Sequence, residues 1–411
     1  MKKFLKIKLK LWHKVIIGMI LGIICGAYFQ EYSVHMKPLG TVFINLIKMV
    51  VAPLIFFSIL NGVTSISDAS TFSRLGIRAF SIYGFTTVFA VTIGLFCATV
   101  FKPGLGMNID LHYDPTIHSY NQTSIVDILV NIIPSNPIQA MAQGNTLQIV
   151  VFAFFTGFAL ILIGDKGREV KNLVTSATHL VFKMMHLVIQ LTPYGVFAIM
   201  FWVIGEYGFD VMIHLGKFVV VVIIALVIQY ILFGVMLILF ARLNPLQFYK
   251  KMVTTQMLAI ATSSSKATLA TAINEMRNKI GVSKQTASFI LPLGAAINMD
   301  ATSIYLGVIS VFFAQIIGMH LTLTHYLIII LTSTIGSIGA AGFPGGAMVM
   351  MSMVLSSIGL PLEGISLILG IDRLLEMIRT MINITGDCTV TVIVDKIEGT
   401  FDKNKYYNKK E

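Results

Sequence analysis

Asp372, Glu376, Arg379, Asn383 and Asp387 recur inside an otherwise apolar run, Leu367 to Val394. At about 100° per residue they fall within roughly 80° of arc on one helix face, with Thr380 at its edge. The rest of the helix reads Leu374, Leu375, Met377, Ile378, Met381, Ile382 and Ile384. A charge in a bilayer costs roughly 2.5–3.5 kcal/mol on insertion scales, so such groups face one another or a cavity. Glu376 and Arg379, three residues apart, can neutralise each other. That accounts for one acid and leaves the others unpartnered, an imbalance that a cation and a ligand carboxylate would settle. Guanidinium grips carboxylate in a bidentate manner and stays charged when buried. Arg379 is therefore the expected receptor for a substrate's side-chain carboxylate. Glu376, one turn away, suits an ammonium group. Asp387 and Asp300 have no basic neighbour in sequence, and hard oxygen donors of this kind suit Na⁺.

Two segments rich in small residues accompany this stripe. Thr262-Ser263-Ser264-Ser265-Lys266 contains an S-x-x-K string, Ser263 to Lys266. Neither S-D-N nor K-T-G accompanies it, and its setting is apolar, so a nucleophile is not expected. A re-entrant tip fits better, because half-helix N-termini and close-approaching amides favour anions. Ser337 to Gly346 has the same character, with glycines that permit an unwound tip and carbonyls suited to a cation or an amine. The plainer alternative for both is close helix packing by small residues.

The elements that must position these groups lie in lipid. The chain has 411 residues, of which 56% are hydrophobic and only 12% charged, against about 25% charged in an ordinary soluble domain. Its mean hydropathy is +0.83. Apolar segments run over about 12–30, 41–66, 79–101, 124–164, 172–205 and 212–242. Lys48 with Pro53 is expected to break the second, Pro134, Pro137 and Gln143-Gly144-Asn145 the fourth, and Pro193-Tyr194-Gly195 to kink the fifth. From Lys250 onward the order is small polar segment, helix with a polar break, small polar segment, helix with charges. This is a weak two-fold repeat whose breaks would be Ile297-Asn298-Met299-Asp300 and Ile382 to Asp387. Paired interrupted segments point to a transporter site near the bilayer midplane.

The net charge of +11 does not indicate nucleic acid, since it gathers at the chain ends: Lys2, Lys3, Lys6, Lys8, Lys10 and Lys14, then Lys403, Lys405, Lys409 and Lys410. Basic flanks mark the cytoplasmic side, so both termini are expected inside, with an even number of spans. No small-residue cleavage site follows the basic opening, so a cleaved signal is not expected. Cys25, Cys97 and Cys388 are far apart in apolar runs and read as small buried hydrophobes.

Several strings resemble one family, the dicarboxylate/amino acid:cation symporters, which include archaeal aspartate and animal glutamate transporters. They are Thr262 to Ser265, Leu291-Pro292-Leu293-Gly294, Asn298-Met299-Asp300-Ala301-Thr302, Gly339 to Gly345 and Arg379-Thr380-x-x-Asn383-x-x-Gly386-Asp387. Lys48 to Pro53 and Pro193 to Ala198 are similar too, so the likeness covers nearly the whole chain. It implies an all-α polytopic membrane protein of eight transmembrane helices and two re-entrant hairpins, in inverted repeats. It also implies a homotrimer whose scaffold holds transport domains that move across the membrane. The expected division is helices 1–3 in 1–101 (helices 1 and 2 scaffold, helix 3 transport) and an interrupted scaffold helix 4 in 102–171. Helices 5 and 6 occupy 172–247, hairpin 1 occupies 248–284 and helix 7 occupies 285–319. Hairpin 2 takes 320–360, and helix 8 with a basic tail takes 361–411. The hairpins proper would span about 248–279 and 322–357.

The same resemblance implies the ligands. Arg379, helped by Thr302, would hold the side-chain carboxylate, and Glu376 stands where the amino-acid carriers place an aspartate for the amine. Asn383 and the backbone around Ser265 would hold the main-chain carboxylate, with Thr380 lining the site and Phe343 giving a carbonyl. One Na⁺ would use Asp387 with carbonyls of Gly294, Asn298 and Asn383. A second would use Asp300, Asn298, Thr86, Thr87 and the Tyr83 carbonyl. A third would use Ser337, Ile338 and Ala340 beside Ala296 and Met299. The chain departs from the pattern at Lys266, Ala270, Ala296, Ala301, Ala340 and the longer Glu376.

The expected activity is uptake of aspartate or glutamate at an inner membrane, driven by two or three Na⁺. The alternatives are a C4-dicarboxylate carrier, a neutral amino-acid carrier, which Arg379 argues against, and H⁺ coupling through Glu376. The animal carriers place a proton-carrying glutamate four residues after N-M-D-G-T; here that place holds Leu306. No enzyme activity and no nucleic-acid partner is expected.

Overall fold

The computed structural model describes residues 11–65, 74–107, 130, 133–340 and 346–408, and every regular element among them is helical. In chain order these are α1 (Leu11–Tyr28), α2 (Ser33–Ser65), α3 (Arg74–Phe101), α4 (Pro137–Ala142), α5 (Thr146–Ile163), α6 (Arg168–Gln190), α7 (Thr192–Tyr207) and α8 (Asp210–Met236). There follow α9 (Pro245–Thr262), α10 (Ser265–Glu275), α11 (Lys284–Ile297), α12 (Asp300–Ile316), α13 (Leu323–Ala340), α14 (Gly346–Ser357), α15 (Ile365–Glu398) and α16 (Lys403–Tyr407).

Among the described residues, six helical stretches are long and apolar enough to cross a membrane: Gln30–Thr64, Leu75–Phe101, Gln148–Gln190, Asp210–Ala241, Lys284–Ile316 and Ile371–Glu398. The 43 residues of Gln148–Gln190 would reach about 65 Å as one rod, twice a bilayer core. Gly164, at φ +61°, ends α5 and turns the chain before α6.

Helices pack in two groups. α1, α2, α5, α6 and α7 contact one another, while α3, α8 and α9 to α15 form the second body. α2 meets α13, and α15 meets α1 and α7, where the groups touch. Within the first group, Gly18, Gly22 and Gly26 stand one turn apart on α1. Cβ atoms there would lie 2.4, 2.5 and 2.7 Å from the carbonyls of Pro193, Phe197 and Phe201 on α7. Small residues at this spacing let two backbones meet, which is how helices gain packing energy where lipid removes the hydrophobic drive. In the second group α12 is buried on all faces, with only Gln315 partly exposed, whereas α3 and α5 present Phe85, Phe96, Phe155 and Leu162 outward.

Several expected breaks are found. Gly144 separates α4 from α5 at φ +69°, and the Asn145 side chain caps α5 by accepting from Gln148 N. α6 stops at Gln190, and α7 restarts with Pro193 in its first turn, where a missing N–H is harmless. Two expectations fail. Lys48 and Pro53 do not break α2, which runs unbroken through Pro38 and Pro53; neighbouring helices and side chains can absorb a lost backbone bond. Nor is Ile382 to Asp387 a break, because α15 is continuous. Its hydroxyls fold back onto their own helix: Thr385 Oγ1 donates to Met381 O, Thr389 to Thr385 O and Thr391 to Asp387 O. The polar face is thus satisfied without unwinding. The expected repeat therefore has one interrupted helix and one continuous one. Lys2 to Lys10, most of the polar connection after Lys102, and Lys409 and Lys410 lie outside the described residues.

Candidate functional site

The chain unwinds at Asn298 and Met299, between α11 and α12. Asn383 of α15 fastens this break: its Oδ1 accepts from Ala301 N at 2.8 Å, capping the first turn of α12. Its Nδ2 reaches Thr302 Oγ1 at 3.4 Å and Met299 Sδ at 3.3 Å. Asn298 Nδ2 donates to Asp387 Oδ1 at 2.9 Å, and Ser337 Oγ donates to Ile297 O at 3.0 Å. Gly294 permits the closest approach. A Cβ there would lie 2.7 Å from Asp387 Oδ1 and 2.5 Å from the Tyr83 hydroxyl.

Two wholly buried carboxylates flank the break. Asp300 Oδ1 accepts from Thr87 Oγ1 at 3.0 Å and Thr86 Oγ1 at 3.3 Å, and Thr87 also reaches Asn298 Oδ1 at 3.4 Å. Thr86 can turn instead to the Tyr83 carbonyl at 3.1 Å, and the Tyr83 hydroxyl donates to Ile290 O. Asp300 Oδ2 and Asp387 Oδ2 have no hydrogen-bond partner among the described residues. A buried anionic oxygen without a donor is costly, and a cation removes that cost. Among the described residues no three His, Cys, Asp or Glu side chains converge as a transition-metal cluster would require. The donors here are carboxylate, amide, hydroxyl and carbonyl oxygens, a hard set.

The anion side is built by α15, α12 and the turn between α9 and α10. Ser263 adopts the left-handed conformation at φ +49°, and Ser264 caps α10 by accepting from Ala267 N. Ser263, Ser264 and Ser265 line one cavity with Thr302 and Met299 of α12, Ala347 of α14, and Glu376, Arg379, Thr380 and Asn383 of α15. The structure thus brings together the sequence-predicted substrate residues, save Phe343, which lies outside the described residues. Ile338 and Ala340 fall in the last turn of α13.

The ion pairs differ from the sequence expectation. Arg379 is attracted electrostatically by Glu376 and makes a hydrogen-bonded ion pair with Asp372. Its Nη2 donates to Asp372 Oδ1 at 2.9 Å, two turns back, and Glu376 is held by Arg373. Side chains on a helix lean toward its N-terminus, which carries Arg379 back to Asp372 and Glu376 back to Arg373. Arg379 is 1% exposed and its Cζ sits 3.8 Å from the centroid of the Tyr305 ring. Its Nε and Nη1 have no hydrogen-bond partner among the described residues. Sequence reasoning singled out neither Arg373 nor Tyr305. Arg373 lies off the polar stripe, and Tyr305 sits on a different helix.

Broken helices enclosing buried, incompletely satisfied charges define a multi-pass membrane carrier. The chain belongs to the Sodium:dicarboxylate symporter family, which it matches over residues 11–397. It is 32% identical to the Proton/sodium-glutamate symport protein of Bacillus subtilis (strain 168), over 97% of this chain and 95% of the relative. It is 33% identical to the C4-dicarboxylate transport protein of the same organism, over 95% of this chain and 94% of the relative. The corresponding protein of Erwinia tasmaniensis is 34% identical, with 96% and 95% covered. The chain is thus a symporter rather than an enzyme.

Proposed function

We propose that this symporter takes up an acidic amino acid, aspartate or glutamate, together with Na⁺. The observation that carries the reading is Arg379, a permanent cation buried at the cavity wall with two donors unused by the described residues. A side-chain carboxylate fits these donors in a bidentate manner. Glu376, at the same cavity, receives the ammonium, and Asn383 with the amides at Ser265 receives the main-chain carboxylate. Na⁺ is carried at Asp387, with Gly294, Asn298 and Asn383, and at Asp300, with Asn298, Thr86, Thr87 and Tyr83. A third ion lies against Ser337, Ile338, Ala340 and Met299. The relatives whose names pair protons with sodium keep H⁺ coupling through Glu376 as the rival.

A second substrate reading, a C4-dicarboxylate, is favoured by one observation: Arg373 already holds Glu376. Relatives named for glutamate and for C4-dicarboxylates match comparably well. Uptake of labelled aspartate, glutamate and succinate into proteoliposomes, with Na⁺ and pH gradients imposed separately, separates these readings. Uptake of succinate alone overturns the amino-acid assignment, and full uptake without Na⁺ on an inward proton gradient overturns the ion.

The transport cycle we propose is of the elevator kind, in a homotrimer at the inner membrane. α1, α2, α5, α6 and α7 serve as scaffold, and α3 with α8 to α15 serve as the moving body. α9–α10 and α13–α14 are the two re-entrant hairpins. α1, α2, α3, α4–α5, α6–α7, α8, α11–α12 and α15 make eight spans, with both termini cytoplasmic. Accessibility of single cysteines at Lys14 and Lys403 to an impermeant reagent in intact cells tests the orientation; labelling from outside would reverse it.

A further inference from the structure

Three membrane-length stretches of the second body begin or end at one place, and each is flanked there by a cation. Asp210–Ala241 ends just before Arg242, Lys284–Ile316 begins at Lys284, and Ile371–Glu398 carries Lys396 in its last turn. Contacts between these segments fix them as one end of the body. Lys251 Nζ donates to the carbonyls of Lys279 and Lys405. Asp402 N donates to Gly281 O, the Tyr406 hydroxyl to Asn244 O, and Ser283 Oγ to Asp395 Oδ1. The acids of segments 237–284 and 395–408 are Glu275, Asp395, Glu398 and Asp402, and each is engaged within the protein. Lys279 and Thr255 hold Glu275, Ser283 and Thr400 hold Asp395, Arg78 holds Glu398, and Asp402 caps α16. Arg242, Lys250, Lys284 and Lys403 are exposed, with no ion pair among the described residues. This end therefore presents net positive charge.

Exposed apolar side chains stand beside these cations. Leu246, Val253 and Met257 share one exposed face of α9 with Lys250, within roughly 60° of arc at 100° per residue. Phe240, two residues before Arg242, is exposed together with Leu239. A soluble acidic partner would match the charge and leave this apolar surface in water. The headgroup region of a bilayer takes both, because the apolar surface meets acyl chains while Lys and Arg stems carry their charge outward. We propose that this end of the second body is a docking face for anionic phospholipid headgroups, with Arg242, Lys250 and Lys403 receiving phosphate. Each cation adds an attraction to an anionic membrane surface that decays within a Debye length, and the fork of Arg242 suits two phosphate oxygens. The face belongs to the body proposed above to move, so headgroups bound there must be released or carried when that body shifts.

The test measures which lipid lies beside this end. Phe240→Trp in the full chain, with Trp12→Phe and Trp202→Phe, puts a single indole at position 240. Phe96→Trp on the same background is the control. Arg78, near the start of α3, holds Glu398, and the exposed Phe96 lies about 27 Å further along that helix, toward the opposite end. Each protein is reconstituted with dibrominated phosphatidylglycerol or dibrominated phosphatidylcholine in dioleoylphosphatidylcholine. Quenching of the indole gives the association constant of the anionic lipid relative to the zwitterionic one. That ratio is expected to be about threefold or more at position 240 and near one at position 96. High salt should bring position 240 toward one, as should Arg242→Gln, Lys250→Gln and Lys403→Gln combined. A ratio at position 240 no higher than at position 96 overturns the inference. So does a raised ratio that high salt leaves unchanged, a measurement that needs no cation replaced. Absence of quenching by either lipid at position 240 overturns it as well, and would place this end in water, facing a soluble acidic partner.

Discussion

At the scale of single residues, the site rests on charges left incompletely matched. Asp372 satisfies one edge of Arg379, and Tyr305 supports its face. Arg379→Ala should therefore abolish acidic-substrate uptake, with a loss of about 2–5 kcal/mol because Asp372 and the substrate carboxylate both lose their partner. Near-normal aspartate affinity in that variant would remove Arg379 from the site. On the cation side, Asp387→Asn and Asp300→Asn should raise the Na⁺ concentration for half-maximal uptake by tenfold or more. Gly294→Ala should act in the same direction as Asp387→Asn, because its Cβ would sit 2.7 Å from Asp387 Oδ1. Titration of uptake against Na⁺ at fixed pH, with choline as replacement, reads all three; unchanged curves would move the ion elsewhere.

At the scale of elements, side chains and close backbones do what unwound turns were expected to do. α12 begins in the middle of an apolar body, where its orphan N–H groups would be costly. The side chain of Asn383, from a continuous α15, supplies one acceptor there. The serine turn between α9 and α10 relies on Ser263 in the left-handed region, and the Ser264 hydroxyl caps the returning helix. In the first packing group, the Gly18, Gly22 and Gly26 ridge sets the distance between α1 and α7. Gly22→Leu should force the two helices apart and destabilise the protein by about 1–3 kcal/mol, seen as a lower Tm in detergent. Ile20→Leu, at a position 48% exposed, should leave Tm unchanged. Equal Tm values for the two variants would show that the ridge is not a tight contact.

At the scale of the whole molecule, the packing of helices into two groups suits motion of one body against the other. Within each group glycine ridges and buried helices interlock, whereas Val15 of α1 and Leu369 of α15 face a shared apolar cavity at the boundary. Cysteines at these two positions, joined by a short bifunctional thiol reagent on a background lacking Cys25, Cys97 and Cys388, should stop uptake while preserving substrate binding. Undiminished uptake in fully cross-linked protein would exclude relative movement at that boundary.

Apolar length and the stripe on α15 were legible in the sequence because each depends on one local periodicity. The lipid setting follows from composition, since too few charges exist to solvate a surface. Breaks at Gly144, Asn298 and Pro193 were legible because glycine, proline and capping side chains act within a turn of themselves. Continuity of α2 through Pro53 and of α15 through Asp387 was not, because neighbouring helices and back-bonded hydroxyls decide whether a polar or proline-bearing segment must unwind. The charge pairing was also beyond the sequence. Spacing permits Glu376–Arg379 and Arg373–Glu376 alike; that the close contact is Arg373–Glu376 and that Arg379 bonds Asp372 is seen only in the folded chain. What sequence determined were the charged groups and the helices that carry them. Tertiary structure decided which of the pairs permitted along α15 form close contacts, and which buried charges retain donors or acceptors unused by the described residues, because helices distant in the chain set the space around each side chain.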